Sequence, residues 1–182
     1  MVLIRKDNPP ERPLIPYVTH HLAAVQTHQP AMRHTRSEVT QRTIREFEEL
    51  NRLVARLQPA DWDRLVLRPA TRDPWTVKDA LVHILYWKTH TARVIRGEKR
   101  PPEARGLDVP HLNHLIWEQW RQRSPAEVVA WHHAVHADVM RTLANTPAEW
   151  FGRREHAAGW PADLDSHSAG HRLKDLLGGL SS

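Results

Sequence analysis

The segment DSHSAGHRLKDLL (residues 165–177) places His167 and His171 four residues apart. On a helix, that spacing turns two imidazoles to the same side, one turn apart. So placed, they can grip one divalent ion. The spacing alone is a weak signal. Fourteen histidines in 182 residues produce such pairs by chance, and His132 and His136 form another one. The plainer reading of the late pair is a solvated helix start. A third ligand separates the two pairs. His83 lies in VHILYW, on the flank of an apolar stripe, with Asp79 four residues before it and Trp87 four after. A histidine in that setting is expected to face inward. Three protein ligands with an open position make a catalytic type of metal site. Asp79 is expected to orient the His83 ring as a carboxylate acceptor, with helix capping as its alternative duty. The plainer reading of His83 is a core-edge histidine bonded to a backbone carbonyl.

Four long helices are needed to position these residues. The first is expected from Thr35 to Gln58, opened by a Thr35/Glu38 capping pattern and ended by Pro59. Ile44, Phe47, Leu50, Val54 and Leu57 mark its apolar stripe. The second starts at Thr76, runs to Arg96, carries Val77, Leu81, Ile84, Leu85, Ala92 and Ile95, and stops at Gly97. A shorter helix is expected over 109–122, with Leu112, Leu115, Ile116 and Trp120 inward. The third long helix opens at SPAE (124–127), where serine caps, proline takes the first turn and glutamate closes the box. Val128, Val135, Val139 and Leu143 form its stripe. The run EWFGRREHAAGWP reads as a loop, and the last helix spans 164–177 before Gly178-Gly179. No segment alternates with a strand period. The fold class is therefore all-α, a four-helix bundle with an extra short helix.

Residues 1–33 contain five prolines (Pro9, Pro10, Pro13, Pro16, Pro30) and no periodicity, which predicts an extended N-terminal arm before a bundle over 34–182. Met32 just precedes the first periodic segment and is an alternative start.

Composition excludes several classes. There is no cysteine, so thiolate metal sites, disulfides and thiol nucleophiles are ruled out. That usage suits a cytoplasmic setting. No apolar run is long enough for a membrane span, and MVLIRKDNPP lacks the apolar core of a signal peptide. A pI of about 10.1 invites a nucleic-acid reading. The net charge is only +5, however, and Arg42, Arg45, Arg52 and Arg56 are interleaved with acids, so DNA affinity is expected to be weak and nonspecific. The partner expected instead is a small-molecule substrate, with a homodimer compatible with the arm. His132, His133 and His136 read as surface or bundle-edge residues. Of the eight tryptophans, Trp87 and Trp160 are placed near the site, and Asn113 is the polar group expected to reach its pocket.

The run WTVKDALVHILYW, the helix LNHLIWEQW, the stretch SPAEVVAWHHAVHADVMRTLANTPAEWF and the late HxxxH together resemble the DinB/YfiT-like four-helix-bundle superfamily. Their phrasing is nearest to the ClbS/DfsB-type branch. The resemblance covers about Thr35 to Leu180. It implies that His83, His167 and His171 bind a divalent metal inside the bundle, for which zinc and nickel are both suited. The activity it implies is a metal-dependent hydrolase or thiol-dependent transferase. The alternative is a non-catalytic binding or DNA-associated protein of the same fold. Because the arm lacks periodicity, a chain beginning at Met32 should melt within a few degrees of the full-length chain. A large drop in Tm, measured by circular dichroism, would show that the arm packs on the bundle or on a partner.

Overall fold

A computed structural model describes residues 34–66, 73–152 and 164–177. The arm, Trp160 and the Gly178-Gly179 stop lie outside the described residues. Helix α1 (Arg36–Val54) opens as expected. The Thr35 hydroxyl accepts from the Glu38 N–H at 3.2 Å, and the Glu38 carboxylate takes the Thr35 N–H at 2.7 Å. The helix closes at Ala55, where short-range bonds from Arg56 to Leu53 and Leu57 to Val54 tighten its end before Pro59 is reached.

The inward face of α1 differs from the expected stripe. Val39, Thr43, Glu46, Leu50, Leu53 and Leu57 are buried, while Ile44 and Phe47 sit half-buried on the flank. Two polar residues can face the core because both find partners there. The Thr43 hydroxyl returns to the Val39 carbonyl at 2.7 Å, and the Glu46 carboxylate is bonded by the last helix of the bundle.

Helix α2 (Val77–Ile95) is capped by Thr76 and Asp79. It ends beside Gly97, whose φ of 72° a side chain would resist. Every residue from Val77 to Leu85 is buried, so this helix is covered on all sides and forms the axis of the fold. Helix α3 (Val109–Trp120) lies against it through Leu112 and Ile116. Lys78 of α2 donates to the carbonyls of Arg121 and Arg123 at 2.7 and 3.0 Å. That satisfies the carbonyl end of α3 and fixes the turn into the next helix.

Helix α4 (Pro125–Asn145) starts on the Ser124/Glu127 capping box and buries the four expected aliphatics together with His132 and Thr142. A single turn, α5 (Ala148–Phe151), occupies part of the stretch read as loop; Phe151 is fully buried and holds it down. Helix α6 (Ser166–His171) passes into a π-helical turn (Arg172–Leu177) that buries Asp175 and Leu176. Helices α1, α2, α4 and α6 form the bundle, with α2 against α4 and α6, and α1 against both of these as well. An isolated antiparallel bridge joins Leu65 to Thr76; among the described residues there is no strand ladder. No helix of the described residues is long and apolar enough to cross a membrane.

Substitutions at these positions should separate core from cap. Leu85→Ala, at a site with no exposure, should cost about 2–5 kcal/mol in urea unfolding. Ser124→Ala, which removes the cap acceptor, should cost about 1 kcal/mol. Equal effects would mean that α2 is not the buried axis.

Candidate metal centre

The three expected histidines come together. Their ring centroids are 5.3 Å apart for His83 and His167, 4.7 Å for His83 and His171, and 4.4 Å for His167 and His171. One ligand nitrogen from each lies within 4.8 Å of those from the others. Nitrogens sharing a tetrahedral ion at ordinary bond lengths stand ~3.4 Å apart. Small ring rotations close that gap, so the donor set fits a divalent ion, and three neutral imidazoles suit zinc or nickel equally.

Each ring owes its place to a different part of the chain. His83 sits mid-helix on α2, 4 % exposed, between Trp75 at 5.1 Å and Trp87 at 6.1 Å. The buried Trp75, just before the α2 cap, and the half-buried Trp87 of α2 thus flank this ring. His167 is exposed and His171 half-buried, so the cluster has a dry floor and an open rim. Trp87 also approaches His167, at 5.9 Å between ring centres.

Asp79 takes up the capping duty that was its alternative. Asp79 spends Oδ2 on the α2 cap, accepting from the Thr76 N–H at 2.9 Å and the Thr76 hydroxyl at 2.8 Å. Among the described residues, Asp175 bonds a site histidine, its Oδ2 lying 2.7 Å from His171 Nδ1. Asp175 is 3 % exposed. A buried carboxylate on one ring nitrogen sets the tautomer and orients the other nitrogen, so any metal bond by His171 would use Nε2. The signal was in the sequence as a second four-residue spacing, His171 to Asp175, overshadowed by the one before it.

Asn113 is half-buried on α3, and its Oδ1 has no hydrogen-bond partner among the described residues. Trp160 lies outside the described residues.

His132 is corrected. It is 1 % exposed, not at the surface. Its ring packs on Phe47 at 4.9 Å, and His136 stacks on the same ring at 3.6 Å and 8°. It fills the gap that the aliphatic stripe of α4 leaves between Val128 and Val135. The half-buried position of Phe47 is what makes these stacks. His133 is exposed, as expected. Burial, and then the nearby charge of Lys88, lower His132 to about 3 and His136 to about 4. Lys88 is itself buried and lowered to about 8 by that burial, with Glu46 and Asp165 opposing.

The family described as mycothiol maleylpyruvate isomerase N-terminal domain matches residues 43–177. Among solved structures, an uncharacterised protein from Escherichia coli UTI89 superposes with a TM-score of 0.64 at 14% identity, over 83% of this chain and 98% of that one. Agreement at that identity concerns the fold alone. No protein of curated function matches the chain.

The buried histidine of α4 makes stability depend on pH. His132 ionises near 3 when folded and near the ordinary value of ~6.5 when unfolded. Its contribution is therefore present above pH ~6.5 and is lost as pH falls towards the folded value. Going from pH 7 to pH 5 should cost on the order of 2 kcal/mol from this group. Urea unfolding of His132→Leu should show a flatter pH dependence than wild type over that range. Parallel curves would mean that His132 is not held neutral.

Proposed function

Because the chain belongs to the mycothiol maleylpyruvate isomerase N-terminal domain family, within the DinB/YfiT-like bundles, we propose that it is a metal-dependent enzyme acting on a small molecule. His83, His167 and His171 hold the divalent cation, zinc or nickel. The observation that carries this reading is the meeting of three imidazoles from two separate helices within 4.8 Å. One of them is backed by a buried carboxylate. Such sets rarely form by packing alone, because neighbouring imidazoles repel once protonated and satisfy few of each other's hydrogen bonds.

A divalent ion so held supplies a Lewis acid and a water acidified towards neutrality. The protein's own residues do the rest. His83, on the buried axis, sets the depth of the site. The indoles of Trp75 and Trp87 keep water from its floor and strengthen charge interactions there. Asp175 holds the His171 ring in one tautomer. The rim beside His167 admits the substrate, with Trp87 offering an aromatic wall and Asn113 a carboxamide on the neighbouring helix.

Of the two reaction types, the thiol-dependent one is favoured, since the matching family carries the name of a mycothiol maleylpyruvate isomerase. The chain has no cysteine, so the nucleophilic sulfur would arrive as a dissociable low-molecular-weight thiol. A hydrolase of the ClbS/DfsB type is the second outcome of the same site, with water as nucleophile.

Metal analysis of the purified protein tests the reading. Wild type should carry close to one equivalent of zinc or nickel, and His167→Ala and His171→Ala should lose it while keeping the helical spectrum. His132→Ala should retain it. Since imidazole must be neutral to bind, metal affinity should fall as pH drops through the ordinary histidine range. Metal-free wild type, or metal unchanged in His167→Ala, would overturn the assignment.

A further inference from the structure

The helix that presents two of the three histidines is tied to α1 by Glu46, which bonds two of its side chains, and more loosely by Arg42, 3.7 Å from the Asp165 carboxylate. Helix α6 has six residues, and its N-cap Asp165 makes no side-chain capping bond. A helix that short does not persist by propensity, so its rotation and height must be set from outside. Glu46, in the middle of α1 and 5 % exposed, accepts from the Ser168 hydroxyl at 2.8 Å. It also accepts from Arg172 Nε at 3.1 and 3.2 Å and from Arg172 Nη2 at 2.9 Å. Both carboxylate oxygens are engaged.

The register of these contacts is what matters. Ser168 follows His167 by one residue, and Arg172 follows His171 by one. The two anchors therefore have the same four-residue spacing as the two histidines, displaced by about 100° around the helix axis. One carboxylate grips the turn that carries both imidazoles. Arg172 offers a planar fork, which fixes direction as well as distance. Ser168, 1 % exposed, leaves no slack between α6 and α1.

We propose that Glu46 is a positioning residue of the histidine centre, setting through Ser168 and Arg172 the directions of His167 and His171 for a divalent cation. This rests on reading those histidines as metal ligands. A purely structural role for Glu46 would lower the stability of the bundle and leave the coordination geometry of the folded fraction unchanged.

Cobalt(II) is the probe, because its visible absorption reports ligand geometry. Wild type, Glu46→Gln and Ser168→Ala are titrated with cobalt(II), and each is melted by circular dichroism. Glu46→Gln keeps an acceptor for Ser168 but loses the charged fork to Arg172. It should remain folded at the titration temperature, bind cobalt(II) tenfold or more weakly, and show a shifted visible band. Ser168→Ala should weaken binding several-fold with a smaller shift. Wild-type affinity and spectrum in Glu46→Gln would overturn the proposal, as would a loss matching its unfolded fraction. If Glu46→Gln fails to fold, Ser168→Ala decides, and an unchanged spectrum and affinity there are equally fatal. Wild type that binds no cobalt(II) would sink the metal reading itself and the proposal with it.

Discussion

Burying charged and polar groups is affordable only where each meets a partner, and that constraint organises this bundle. Four helices with aliphatic stripes would pack in several rotations about their axes. What selects one rotation is the set of polar side chains that must be satisfied inside. Glu46 must meet Arg172 and Ser168. Lys78 must reach the carbonyls beyond α3. Asp175 must meet His171. Thr142 and Thr146 return their hydroxyls to their own helix at 2.8 and 2.7 Å. Removing one partner from such a pair leaves a buried charge without compensation, which costs more than the pair contributes. The polar interior is thus a device for uniqueness as much as for stability.

The histidine centre follows from this arrangement. The axis helix α2 supplies one histidine from a position with little freedom to move, since its neighbours on every side are packed. The other two histidines ride on a short helix whose place is dictated by contacts with α1 and by the π turn that follows. Single π turns of this kind recur at functional sites, where the widened backbone re-aims a side chain. Here the turn begins directly after His171 and includes Asp175. Depth is graded across the cluster, with His83 buried and His167 exposed. A cluster so built is shielded on one side and open to solvent on the other.

The starts of three long helices were legible in the residues because they are local events, whereas the end of α1 falls at Val54 and not at Gln58. Thr35 with Glu38, Thr76 with Asp79 and Ser124 with Glu127 each close a capping box within four residues of chain. The stripe of α2 was legible because all its members are aliphatic and its period is unbroken. The trio His83, His167 and His171 was legible as a candidate because spacing brought two of them together and the flank of a stripe turned the third inward. The turn at α5 was missed because four residues show no period, and only the buried Phe151 marks it.

The tertiary structure decided which polar residues belong inside. Residues 43 and 46 face the core while 44 and 47 flank it, a rotation of about one residue that hydrophobicity alone places the other way. Its cause is a partner more than a hundred residues distant in the chain, at Ser168 and Arg172. His132 likewise resembled a surface histidine until Phe47 and the neutralising effect of burial gave it a place in the core. Asp79 and Asp175 stand at the same four-residue distance from a site histidine, yet one caps a helix and the other orients a ring. Spacing determines which side chains share a face of one helix. Only the packing of a second helix against that face determines which of them finds a partner, because a hydrogen bond requires both ends.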